Sequence, residues 1–210
     1  MSEHDRASWE QRWTKALRAH GARIGQRPAN PHLVAETGAL PPGRALDAGC
    51  GNGSETLWLA ARGWEVTAVD FAAVALAHGR ATAGAMGPDV AERVTWVEGA
   101  LGTWTPRPEH YDLVVCLYVH VAGSVEEVVG RLATGVGPDG TLLLVGHRPV
   151  GPVTGEATAA AGQVQVSVDA ARSALDPRRW ELLVAEDRPR PAAGSGVDAV
   201  IRARRRPGGA

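Results

Sequence analysis

At 210 residues, with 22 Lys+Arg against 23 Asp+Glu and a formal net charge of -1, the chain has the length of one compact domain and lacks the basic excess of an electrostatic nucleic-acid binder. Its 44% hydrophobic and 21% charged residues exclude a disordered chain, and no apolar run approaches the roughly 20 residues of a bilayer-spanning helix. The opening MSEHDRASWEQRW has neither the basic nor the apolar region of a secretion signal, and Cys50 and Cys116 are too few for a disulfide framework, so a soluble, cytoplasmic protein with reduced thiols is expected.

Two helices open the chain: Ser8 to about Ala22, with Trp9, Trp13, Ala16 and Leu17 on one face, then a short one capped by Asn30, started by Pro31 and ended near Gly38. After the breaker Pro41-Pro42-Gly43, a buried strand from Arg44 to Asp47 runs into the cluster Gly49-Cys50-Gly51-Asn52-Gly53 and a helix from Glu55 to Arg62. A second strand, Glu65 to Asp70, is followed by an alanine-rich helix, Ala72 to about Ala85, and Val94 to Glu98 is a third. Tyr111 to Leu117 and Thr141 to Val145 read as the fourth and fifth, with a helix near Ser124 to Thr134 between them. A Gly/Ala/Pro/Thr-rich loop then leads to a helix capped by Ser167 and running to Leu175, and to strands Trp180 to Asp187 and Val197 to Arg204.

Alternating strands and helices imply an α/β doubly wound, Rossmann-like domain with a mostly parallel seven-stranded sheet. The last two strands are separated by too few residues for a helical crossover and so predict a terminal antiparallel hairpin. Residues 1–40 read as helical lid elements and residues 41–210 as the core, within one domain overall.

The glycine cluster is the site-bearing motif. Closely spaced glycines let backbone turn sharply and approach a ligand, and Asp70, 17 positions beyond Gly53, puts a carboxylate within reach of two ribose hydroxyls. A tight turn with no ligand is the bland alternative. The order Gly49-x-Gly51-x-Gly53 departs from the dinucleotide pattern G-x-G-x-x-G, Glu55 suits a pyrophosphate poorly, and Asp47 suits a ligand carrying an ammonium; together they favour S-adenosylmethionine over NAD.

The sequence resembles the class I S-adenosylmethionine-dependent methyltransferases, in particular the small-molecule branch of tellurite- and thiopurine-resistance-type enzymes. The likeness is carried by Asp47-x-Gly49-x-Gly51-x-Gly53, Gly63-Trp64-Glu65-Val66-Thr67-Ala68-Val69-Asp70, Tyr111-Asp112-Leu113-Val114-Val115 and Gly137-Pro138-Asp139-Gly140-Thr141-Leu142-Leu143, in the family's order over about residues 30 to 147. It implies that Asp47, Gly49, Cys50, Gly51 and Gly53 border the amino-acid part of the cofactor, that Asp70 holds the ribose, and that Cys116 and Leu117 face the methionine end. Where the family commonly has a carboxylate for the adenine amino group, this chain has Ala100, leaving adenine to backbone at Ala100 and Leu101 and to stacking on Phe71.

Methyl transfer from a sulfonium needs alignment and exclusion of water, and a base where the acceptor must lose a proton. His120, after the fourth strand, and His147, after the fifth, are the catalytic candidates, with Tyr118 as a substrate-orienting group. His110 lies at the wrong end of its strand, and His4, His20, His32 and His78 are expected to face solvent. Trp9, Arg12 and Trp13 resemble the family's aromatic and arginine lid, and Val150 to Val166 its substrate-covering insertion. No zinc-ligand spacing is present, so no metal is expected. The expected reaction is methyl transfer to an O, N or S nucleophile of a small molecule, with no nucleic-acid or membrane partner. The alternatives are a cofactor-binding protein of the same fold without methyl transfer, an NAD(P)-dependent oxidoreductase, and a methyltransferase for protein or RNA.

Overall fold

The computed structural model describes residues 3–25, 27–119, 124–148, 166–190 and 196–208. Among the described residues seven strands form a mixed sheet, and the chain divides into two compact units, Met1–Trp104 and Thr105–Ala210.

The first unit holds α1 (Glu3–Gly25), α2 (Pro31–Thr37), β1 (Arg44–Ala48), α3 (Ser54–Ala60), β2 (Glu65–Asp70), α4 (Ala73–Met86), α5 (Pro88–Ala91) and β3 (Val94–Glu98). Its strands lie in the order β3-β2-β1, all parallel, with Arg44 opposite Glu65 and Val66 opposite Val94. Parallel strands need a crossover between them, which α3 and α4 supply, and fully buried Leu46, Leu59, Ala68 and Val69 form the core. α2 starts where Asn30 predicts: its side-chain oxygen accepts from the His32 N–H at 2.8 Å, with Pro31 at the first turn. α1 runs longer than its periodicity suggests and kinks at His20 (φ -144, ψ 21). The short α5 was not expected.

The second unit holds β4 (Tyr111–Leu117), α6 (Val125–Ala133), β5 (Val136–His147), α7 (Val168–Ala174), β6 (Trp180–Pro189) and β7 (Val197–Arg205), with its strands in the order β4-β5-β7-β6. β4 and β5 are parallel, whereas β7 runs antiparallel to both β5 and β6, as the short connection between the last two strands requires. Ser124 caps α6 through the Glu127 N–H, and its buried Val125, Val128, Val129 and Leu132 oppose exposed Glu126 and Glu127. β5 begins five residues before the expected Thr141. Asp139 takes a positive φ of 60°, and the β4–β5 register shifts between Tyr111 and Leu113, so Gly137-Pro138-Asp139-Gly140 is an irregularity inside a strand rather than a turn before one.

Two histidines depart from expectation. His32 is 4% exposed within the buried face of α2, and His78, on α4, is partly buried with no hydrogen-bond partner for Nε2 among the described residues. No helix among the described residues is long and apolar enough to cross a membrane.

Candidate functional site

The loop between β1 and α3 takes three positive φ angles, at Gly49 (84°), Gly51 (54°) and Gly53 (84°), which L side chains rarely adopt. Its amides turn inward. Gly49 and Cys50 N–H both donate to the Val69 carbonyl, Gly53 N–H donates to the Cys50 carbonyl, and Gly51 N–H donates to Asp70 Oδ2 at 2.9 Å. The loop is also closely covered: a Cβ on Gly51 would lie 2.9 Å from Trp13 Cζ2, and one on Gly53 would meet the ring of Trp96 at 2.5 Å. Trp96, which belongs to no motif of the sequence, also abuts Gly79 of α4 and so joins loop, strand and helix.

Three carboxylates surround this backbone. Asp47, 2% exposed near the end of β1, accepts from the Thr56 hydroxyl at 2.6 Å. Burial, then the nearby charge of Glu55, push its pKa from 3.8 up to about 7, with Asp70 adding to the rise and hydrogen bonds from Thr56 opposing it. Glu55, in the first turn of α3, accepts from the Asn30 N–H at 3.1 Å, and burial raises its pKa as well. Asp70, at the end of β2, takes the Gly51 N–H on Oδ2 and the Ala72 N–H on Oδ1 at 2.8 Å; burial raises its pKa despite those bonds. Burial, Asp47 and Asp70 together push the Cys50 thiol well up, which keeps it protonated and unreactive. The acids are not a metal centre: among the described residues no group of three His, Cys, Asp or Glu could hold an ion.

This donor set fits S-adenosylmethionine. An ionised carboxylate has about four acceptor sites, so Asp70, with backbone donors from Gly51, Ala72 and Phe71, retains capacity for a ribose hydroxyl. The acids answer the cofactor's ammonium and sulfonium. The adenine side is more restricted than expected, because the Ala100 carbonyl already accepts from Thr103 and Trp104 N–H groups at 2.9 and 2.7 Å. Leu101 is buried and Phe71 half-buried after β2. Glu10 Oε1 accepts from the Ala73 N–H at 2.7 Å and thereby ties α1 to the start of α4. Arg12 is exposed beside half-buried Trp13; the Trp9 side chain lies outside the described residues.

In the second unit, a cluster forms at the carboxyl ends of β4 and β5. Tyr118, immediately after β4, holds a positive φ of 55°, its N–H donating to the Val145 carbonyl at 2.8 Å. Its ring stacks on His147 at 4.1 Å between centroids and 24° between planes, and its hydroxyl donates to Asp198 Oδ2 at 2.8 Å. Asp198, wholly buried and directly across the β5–β7 ladder from His147, lies 2.9 Å from His147 Nδ1. Arg190 donates to Asp198 Oδ1 through Nε at 3.3 Å and Nη2 at 3.1 Å. Burial opposes ionisation of Asp198, but hydrogen bonds from His147, Arg190 and Tyr118 outweigh it and hold the carboxyl well below the usual range. Cys116 is buried on β4 and Leu117 ends that strand. His120 and nearly all of the Val150 to Val166 insertion lie outside the described residues.

Residues 45–140, which carry the glycine loop, Asp70 and β4, match the family model described as methyltransferase domain. The probable thiol methyltransferase 2 of Arabidopsis thaliana is 33% identical over 115 residues, 54% of this chain and 48% of that protein. Over these residues the chain is similar to a methyltransferase domain. It spans about half the length of this curated relative. The crystal structure of Burkholderia thailandensis 1,6-didemethyltoxoflavin-N1-methyltransferase with bound 1,6-didemethyltoxoflavin and S-adenosylhomocysteine is similar with a TM-score of 0.63 at 20% identity, covering 98% of this chain and 91% of that one. The cyclase SpnF is similar with a TM-score of 0.67 at 19% identity, covering 84% and 80%. These likenesses establish the fold, a methyltransferase-type mixed sheet with a reversed terminal pair.

Proposed function

We propose that the protein is an S-adenosylmethionine-dependent methyltransferase that transfers a methyl group to an O, N or S nucleophile of a small molecule. The carrying observation is the character of the glycine loop: four of its amides donate inside the protein and three carboxylates surround it. A dinucleotide site needs the reverse, amides turned toward a pyrophosphate and no acid beside them. A cationic adenosyl compound matches this loop, and an NAD(P)-dependent oxidoreductase does not.

In this reading Asp70 holds the ribose, Asp47 and the Gly49–Gly53 loop border the amino-acid part, and Phe71, Ala100 and Leu101 border adenine. Residues 1–40 form the lid, with Trp13 over Gly51. His147 handles the acceptor's proton. The acceptor is a small molecule, in keeping with what the toxoflavin methyltransferase acts on. The thiol methyltransferase relative keeps sulfur among the acceptor atoms.

Isothermal calorimetry tests the cofactor: micromolar binding of S-adenosylhomocysteine without response to NAD or NADP is expected, and the reverse overturns the reading. Labelled S-adenosylmethionine incubated with cell extract freed of macromolecules tests transfer. The likeness to a cyclase favours one second reading, a cofactor-binding protein that performs another transformation. Cofactor binding with no labelled product, in that extract or across a panel of phenols, amines and thiols, would favour it.

A further inference from the structure

The turn that follows β3 withholds what an adenine amino group requires. Asp70 and Glu98 are level across the β2–β3 ladder, and the Gly99 N–H donates to the Asp70 carbonyl at 2.9 Å, so residues 99–104 begin directly beside the acid proposed to hold the ribose. In a nucleoside the 5′-carbon and the base leave the ribose from the two carbons that flank the ring oxygen. With the 5′ side toward the glycine loop, which reaches Asp70 Oδ2 through the Gly51 N–H, the base falls on the β3 side, by Phe71 and Ala100.

The 6-amino group of adenine is a donor and calls for an acceptor. Ala100 brings only a methyl side chain. Its carbonyl oxygen, with two lone pairs, already takes the Thr103 and Trp104 N–H groups at 2.9 and 2.7 Å, and the Thr103 hydroxyl is a third donor at 3.4 Å. The turn is also locked from its far end. A Cβ on Gly99 would lie 2.8 Å from Trp104 Cδ1 and 3.3 Å from Val69 Cγ1, so the indole is seated directly on the Gly99 backbone, against fully buried Val69, and holds the Ala100 carbonyl where it is. What this side offers a base is apolar: the half-buried Phe71 ring and the Ala100 methyl, contacts that any purine can make.

We propose that the site does not read the 6-position of the purine, that Ala100 is the specificity-determining residue, and that the protein accepts adenosyl cofactors whose 6-amino group is altered or absent. The proposal rests on the cofactor placement given above and deepens it toward selectivity for the base. A site built to hydrogen-bond a ligand group rejects the analogue lacking that group, because its own polar atom is left unpaired; an apolar wall has no atom to leave unpaired and discriminates little.

Calorimetry on the full chain compares S-adenosylhomocysteine with its purine analogue, in which hydrogen replaces the 6-amino group. The wild type should bind the two with affinities less than about tenfold apart. In Ala100→Asp, which adds a carboxylate acceptor to the turn, S-adenosylhomocysteine should bind more tightly than the analogue by about tenfold or more. A wild type that binds the analogue more weakly by that factor overturns the proposal, and Glu98, exposed and level with Asp70, is the acceptor such a loss would expose. A folded Ala100→Asp without preference overturns it as well; if that variant fails to fold, the wild-type pair decides alone. Failure of S-adenosylhomocysteine to bind at all overturns the cofactor reading and the proposal with it, whereas its binding with rejection of the analogue overturns the proposal only.

Discussion

Asp70 Oδ2 accepts a hydrogen bond from the Gly51 N–H at 2.9 Å, so the acid proposed to hold the ribose also holds the glycine loop in shape. Asp70→Ala should therefore weaken S-adenosylhomocysteine binding by about 1 to 3 kcal/mol, the loss of charge-assisted hydrogen bonds, and lower the melting temperature as well. Calorimetry and a thermal melt check the pair; a variant with wild-type affinity would remove Asp70 from the site.

Two glycines on α4 should respond to alanine with opposite signs. At Gly84 nothing lies within 4 Å of an added Cβ, and Gly84→Ala should stabilise the helix by roughly 0.5 to 1 kcal/mol. At Gly79 the Cβ would lie 2.8 Å from the Asn52 carbonyl oxygen and 2.5 Å from Trp96, so Gly79→Ala should destabilise the fold, by about 1 to 3 kcal/mol, and loosen the loop. Urea midpoints of the two variants decide; equal shifts of one sign would refute the close approach of α4 to the loop.

Asp47 and Asp198 give opposite pH responses. The folded pKa of Asp47, about 7, lies above its unfolded value of 3.8, so between these values the unfolded state binds fewer protons and the Asp47 contribution to stability falls as pH rises. Asp198 is displaced downward, so its contribution is present above the unfolded value and is lost as pH falls further. A cationic ligand favours ionised Asp47. S-adenosylhomocysteine, whose ammonium supplies such a charge, should bind more tightly as pH rises through about 7 and release up to one proton, measurable by calorimetry in buffers of different ionisation enthalpy. Asp47→Asn should abolish that release.

Tyr118→Phe keeps the ring over His147 and removes one donor from a wholly buried carboxylate. A loss of about 0.5 to 1.5 kcal/mol in denaturant unfolding is expected, and no loss would mean that the hydroxyl is replaced there by water.

Local signals were sufficient for most of the frame. β2, β3 and β4 appear at the expected residues because each is a short apolar run bounded by charge, glycine or proline, and the caps at Asn30, Ser124 and Ser167 act where their side chains imply. β5 starts earlier than its sequence implies because Gly137 to Gly140 has turn chemistry, and only pairing with β4 shows that a strand can carry it. His32 is buried because the face of α2 that carries it turns inward, which seven residues of sequence do not reveal. In the candidate site, Gly49 to Gly53 and Asp70 were visible as a motif. Asp198 was not, since its relation to His147 exists only through antiparallel register across 51 positions, and Trp96 was hidden because nothing in β3 reveals which glycines its ring will meet.

The inward-turned amides have a consequence for competition inside a cell. ATP shares the adenosine portion that Asp70 is suited to grasp, yet its triphosphate tail would arrive where Asp47 and Glu55 stand and where Gly49, Cys50, Gly51 and Gly53 have already committed their hydrogens. On the proposed reading, discrimination against adenylates comes from the β1–α3 turn, whose acids, where ionised, repel a polyphosphate and whose amides are already engaged.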